Sequence, residues 1–289
     1  MRWRRGNAYT ALAGLVLLCV ALPILAQEEV RSGGIGGLIV APTRIVIGPR
    51  DRVGEVTLVN RGAEPATFRI DLVNRRMTEQ GDLVEVPPEE AGPASADRLL
   101  RYAPRQVTLQ PGESQVLRLL ARRPDDLATG EYRSHLFIRR ELPPPDTTAE
   151  SQPGDARLNV GIRCTPALSI PVILRQGQTH VSVSMAELTL VPLSQGAPGA
   201  KLRLRLNREG DQSAYGDFTV TYRPPDGGEE RVAGTLLGVA VYTPNATRLV
   251  ELPIDASVDS LAGGQLRVAY RTPGGEGSTL LAEGEIALR

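Results

Sequence analysis

The sequence predicts an all-β protein, with two tandem sandwich domains behind a short export signal. Three observations carry this. From Leu38 onward, apolar and polar residues alternate with a period of two, as strands with one buried face require. Turn-forming residues recur about every eight to twelve positions, the spacing of short strands stacked in two layers. Gly 30 and Pro 23 make up about 18% of the 289 residues, more helix breakers than a helical bundle tolerates.

Composition narrows the function classes. With 41% hydrophobic and 23% charged residues the chain can bury real cores, and its length suits two domains. Formal net charge is zero, so no nucleic-acid partner is expected. Of the 33 Lys+Arg, Lys201 is the only lysine. A positive charge with a job is therefore an arginine, whose planar fork suits carboxylates.

The elements follow in order. Residues 1–26 combine Arg2, Arg4 and Arg5 with an apolar run from Ala11 to Ala26 that is short for a membrane span. This is the pattern of a secretory signal peptide; an uncleaved anchor is the alternative. Residues 27–37 read as a flexible segment. The first domain is assigned to 38–174. Its strands are expected at Leu38–Val40, Ile45–Ile47, Glu55–Asn60, Thr67–Val73, Arg105–Leu109, Gln115–Leu120 and Glu131–Leu142. A polar Pro- and Gly-containing loop spans 143–156. A further strand is expected over Arg157–Cys164, with Leu158, Val160 and Ile162 on one face. Pro166 interrupts its pairing, and Leu168, Ile170, Val172 and Leu174 continue the alternation. Residues 175–178 read as a hinge, too short for free tumbling. The second domain, 179–289, repeats the strand-and-turn pattern from Val181 to Ile286. The spacing suggests immunoglobulin-like sandwiches in both blocks.

Catalytic chemistry is nearly absent. His135 and His180 are the only imidazoles; the first reads as a packing residue within a strand, the second as exposed. Cys164 has no obvious activator nearby and reads as a structural thiol. No phosphate loop, dinucleotide glycine pattern or nucleophile elbow occurs. Asp125-Asp126 reads as solvated turn chemistry, and Asn245-Ala246-Thr247 matches a glycosylation sequon of the kind common by chance. No enzyme activity, metal or cofactor is expected.

Three stretches, taken in order, resemble the periplasmic pilus chaperones of the chaperone–usher pathway. They are Leu38-Ile39-Val40-Ala41-Pro42-Thr43-Arg44-Ile45-Val46-Ile47, Tyr102 to Leu119 around Gln110-Pro111-Gly112-Glu113, and Gly130 to Pro144 ending in Arg140-Glu141-Leu142-Pro143-Pro144. The resemblance covers roughly Leu38 to Arg175. It implies a periplasmic chaperone that lends an edge strand to incomplete pilin-like subunits and hands them to an outer-membrane usher. It also implies that Arg44 holds the subunit's terminal carboxylate between the domains. The family's cleft lysine has no counterpart, since Pro171 stands nearest its place, so Arg44 is expected to act alone or with a second arginine, Arg163 or Arg175. Leu158, Val160 and Ile162 are the candidate lent residues, and self-association through the same edge is an expectation for the free protein. The competing reading is a tandem-sandwich binding or envelope scaffold protein without chaperone activity.

Overall fold

The computed structural model describes residues 31–142, 164–193 and 199–288. Among these there is no α-helix, only strands and two 3-10 turns, Asp259–Leu261 and Gly275–Gly277. The first block contributes β1 (Gly33–Ile35), β2 (Leu38–Ala41), β3 (Ile45–Ile47), β4 (Val53–Asn60), β5 (Ala66–Met77), β6 (Leu83–Val86), β7 (Leu100–Ala103), β8 (Gln106–Leu109), β9 (Ser114–Ala121), β10 (Gly130–Glu141) and β11 (Ala167–Gln176). The second contributes β12 (Val181–Pro192), β13 (Ala200–Gly210), β14 (Ala214–Arg223), β15 (Arg231–Val241), β16 (Thr247–Ile254), β17 (Gln265–Arg271) and β18 (Leu280–Ala287).

In the first block one sheet runs β1-β2-β4-β9-β7 and the other β3-β11-β10-β5-β6, with β8 also on β5. The alternation decides which face meets the other sheet. Val56 and Leu58 of β4, Phe68 and Ile70 of β5, Leu117 and Leu119 of β9, and Leu136 and Ile138 of β10 are all buried in one cluster. Ile170, Val172 and Leu174 of β11 complete it. Each such side chain contributes about 1.5–3 kcal/mol on burial. Asn60 is buried too, and its polar atoms are satisfied. Its amide donates to the carbonyls of Glu64 and Leu109, both at 2.9 Å, and its Oδ1 accepts from Gly62 N–H.

The second block packs β12-β13-β16 against β15-β14-β17-β18. Leu202, Leu204 and Leu206 of β13 face Phe218, Val220 and Tyr222 of β14 within one core. Phe218 and Tyr270 stack at 4.5 Å between ring centroids, and the buried Tyr270 hydroxyl donates to the Val239 carbonyl at 2.8 Å.

The two blocks are fastened together. Met77, Ile173, Ala240 and Tyr242 form a third apolar cluster between them. Glu131, whose side chain is fully buried, accepts from Ser213 N–H at 3.3 Å, from Ser213 Oγ and from Arg175 Nε at 3.3 Å. The β5–β6 hairpin lies on the second domain. Leu249 N–H donates to the Glu79 carbonyl at 2.8 Å, and Asn245 Nδ2 donates to the Met77 carbonyl at 3.0 Å. Gly81, at φ +94°, is needed in the hairpin turn, because a Cβ there would meet the Arg248 guanidinium at 2.3 Å.

Three features differ from the sequence reading. Residues 33–35 of the expected flexible segment form β1, held antiparallel to β2 from Gly33↔Val40 to Ile35↔Leu38. Strands β6 and β7 have no counterpart in that reading, since four-residue edge strands carry too few positions to show a period. β11 runs on to Gln176, into the expected hinge, because β10 pairs with it as far as Gly130↔Gln176.

Candidate functional site

The site forms where the chain crosses from one sheet to the other, between β2 and β3. β2 ends at Ala41 within the first sheet, and after a cis Ala41–Pro42 bond β3 begins at Ile45 in the second. Arg44 is the last residue of that crossing. β3 then runs parallel to β11, pairing Ile45 with Val172, Val46 with Ile173 and Ile47 with Leu174. One step back along this register, Arg44 falls level with Pro171.

Among the described residues, this short pairing leaves residues 167–171 of β11 one-sided. Residues 167–171 are bonded to β10, from Arg139↔Ala167 to His135↔Pro171. On their other side no strand among the described residues pairs with them. Among the described residues, this unpaired edge therefore ends beside Arg44.

The Arg44 guanidinium is held by aromatic rings of the second domain. Its Cζ lies 4.3 Å from the centroid of the Tyr215 ring and 5.7 Å from that of Tyr242. Its Nη1 donates to the Tyr242 hydroxyl at 3.4 Å. Among the described residues it pairs with no carboxylate. Alternation along β14 turns Tyr215 and Asp217 outward, toward the first domain. Asp217 takes the Arg31 guanidinium, whose Cζ is 6.0 Å from the same Tyr215 ring. A cleft of about 300 Å³ is lined by Arg31, Arg44, Val46, Val53, Glu55 and Tyr215. A second, of about 540 Å³, is lined by Arg44, Arg175, Gln212, Ser213, Tyr215 and Thr279, among others.

The sequence candidates fall as follows. Arg44 and Arg175 share the larger cleft. Arg175, however, is committed through Nε to Glu131. Arg163, Leu158, Val160 and Ile162 lie outside the described residues, as does the 1–26 segment. Cys164 is exposed and unpaired. The His180 side chain is 81% exposed, with Nδ1 3.2 Å from Asp211. Asp125 and Asp126 are exposed in a turn. No group of His, Cys, Asp or Glu among the described residues is arranged to hold a metal.

His135 is fully buried at the domain junction, and neither ring nitrogen has a hydrogen-bond partner among the described residues. It meets the Tyr242 ring edge-on at 6.3 Å. Burial, followed by the charges of Arg133, Arg75 and Arg44, pushes its pKa down to about 3. The imidazole is thus neutral and sealed, unlike a general base. Arg133, stacked 4.0 Å over the other residue of this corner, Tyr242, also has its pKa lowered by burial.

Tyr215, Tyr242 and Arg31 escape the sequence reading. The two tyrosines sit far along the chain from Arg44, Tyr215 within β14 and Tyr242 just past the end of β15, so no local pattern marks them.

No protein-family model matches the chain, and no curated protein matches it in sequence. Solved structures with a similar chain path include the Pseudomonas aeruginosa CupB2 chaperone, at 16% identity over 86% of this chain and 98% of that one, with a TM-score of 0.45. The YadV chaperone is 11% identical over 87% of this chain and 100% of its own, TM-score 0.44. The E. coli chaperone DraB is 14% identical over 87% and 96%, TM-score 0.41.

Proposed function

We propose that this chain is a periplasmic chaperone for pilus or surface-fibre subunits, which lends them the vacant edge of β11 and delivers them to an outer-membrane usher. The observation that carries the reading is the half-paired β11, whose edge, unpaired among the described residues, stops at an arginine with no carboxylate partner among them. An unpaired edge is a hazard unless it has a use. A partner strand laid along residues 167–171 would gain main-chain hydrogen bonds. If its last carboxylate meets Arg44, that strand must run toward Val172, parallel to β11. A carboxylate there would meet a guanidinium, whose planar fork suits a bidentate pair.

The side chains of Leu158, Val160 and Ile162 precede this edge in the chain and are proposed to extend it, each filling a partner groove. Burying each contributes roughly 1.5–3 kcal/mol before ordering costs. Arg175 is proposed as a secondary cation, limited by its bond to Glu131, and Arg163 as a further candidate. The signal-like 1–26 segment supports export.

The test is capture of a pilin-like subunit that lacks its final strand. Arg44→Ala should reduce capture strongly and leave the melting temperature nearly unchanged. Val160→Ser with Ile162→Ser should do the same. Undiminished capture by both variants, or a large fall in melting temperature for the double variant, would overturn the reading.

A further inference from the structure

The carboxylate anchor proposed above centres on Arg44 at the strand crossing, and the second domain supplies what surrounds it. A guanidinium is planar and carries its five N–H donors around its edge. An aromatic ring beneath its face leaves those edge donors available while fixing the plane in which they point. Arg44 has this arrangement: the Tyr215 ring lies 4.3 Å from Cζ, and the Tyr242 hydroxyl takes Nη1 at 3.4 Å. With Nη1 engaged, the guanidinium keeps donors to spare, and Arg44 and Tyr215 together line both clefts.

Tyr215 is itself held firmly. Its ring is half-buried and packs against the apolar cluster between the domains. Two residues on, Asp217 accepts from Gly238 N–H at 2.8 Å and pairs with Arg31, pinning the outward face of β14. The ring thus has little freedom, and the arginine inherits that constraint.

We propose that Tyr215 is the positioning residue of the anchor: its ring, with Tyr242 beside it, holds the Arg44 guanidinium edge-on to the cleft, so that a partner's terminal carboxylate is received by a seat built from both domains. This rests on the anchor reading and deepens it. It gives the second domain a direct part in binding, and it explains how one arginine works without a neighbouring lysine. The side chain acts through Arg44 and does not itself meet the carboxylate.

The experiment compares two synthetic peptides of alternating valine and serine, one with a free C-terminal carboxylate and one amidated, binding to the full protein. Wild type should prefer the carboxylate form. Tyr215→Leu should lower affinity for the carboxylate peptide by about tenfold and leave the amidated peptide nearly unchanged. Tyr215→Phe, which keeps the ring, should restore the preference. A general loosening of the domain interface would weaken both peptides alike, and that outcome would overturn the positioning role. A full carboxylate preference in Tyr215→Leu would overturn it as well while leaving the anchor standing. Equal affinity of the wild type for the two peptides would overturn the anchor at Arg44, and the seat with it.

Discussion

His135 makes the protein acid-sensitive in a way that can be worked out in advance. Its ring is fully buried, both nitrogens lack partners, and the charged groups facing it are the guanidinium groups of Arg133, Arg75 and Arg44. A proton added there would have no acceptor and would face like charges. The folded pKa of about 3 lies below the ordinary 6.5 of an exposed imidazole. As pH falls below 6.5 the unfolded chain takes up a proton that the folded chain refuses, so stability falls across the window from 6.5 to about 3. At pH 5 the loss from this one group is about 2 kcal/mol, and near pH 3 about 4 kcal/mol. The pH 5 figure depends almost wholly on the unfolded value, because the folded ring is still neutral there. The assay is urea unfolding of wild type and His135→Leu at pH 7.5 and pH 5. Leucine fills similar space without polar atoms, so the variant should match or exceed wild type at pH 7.5. It should also lose about 2 kcal/mol less on going to pH 5. Other titrating groups are common to both proteins and cancel. Identical acid losses would refute the reasoning and mean that the folded protein accommodates the imidazolium.

Two further outcomes test the packing. Glu131→Ala removes the buried acceptor shared by Ser213 and Arg175; it should cost about 3 kcal/mol in urea unfolding, and less than 1 kcal/mol would mean the fastening between domains lies elsewhere. Phe218→Ala opens a hole beside Tyr270 in the second core and should cost about 3–5 kcal/mol, lowering the melting transition of the second domain most; an unchanged transition would contradict the stacking at that position.

The long core strands are legible in the sequence because one buried face imposes a period of two. Phe68, Ile70 and Leu72, or Leu202, Leu204 and Leu206, announce themselves. The short edge strands β6 and β7 do not, since their pairing partners rather than their own pattern define them. Arg44 stands out in the sequence by lying between apolar stretches at the place where the resemblance implies an anchoring arginine, but its surroundings do not. Tyr215 and Tyr242 reach it only because the domain interface closes, and interface geometry leaves no mark in a strand's alternation. Nor does His135 reveal its state: a histidine in a strand looks the same whether its nitrogens are satisfied or orphaned. The parallel meeting of β3 and β11 is likewise hidden, because it follows from where the chain crosses between sheets.

That meeting works as an end-stop on a ruler. β3 occupies the β11 edge from Val172 onward, so any strand growing along residues 167–171 reaches a wall. Its length would be measured from that wall, and so would its phase. A slip by one residue would turn every side chain to the opposite face and carry the strand's terminus away from Arg44 at the same time. Two independent errors would therefore accompany each misalignment, and a guest strand would be gauged by its end as well as by its pattern.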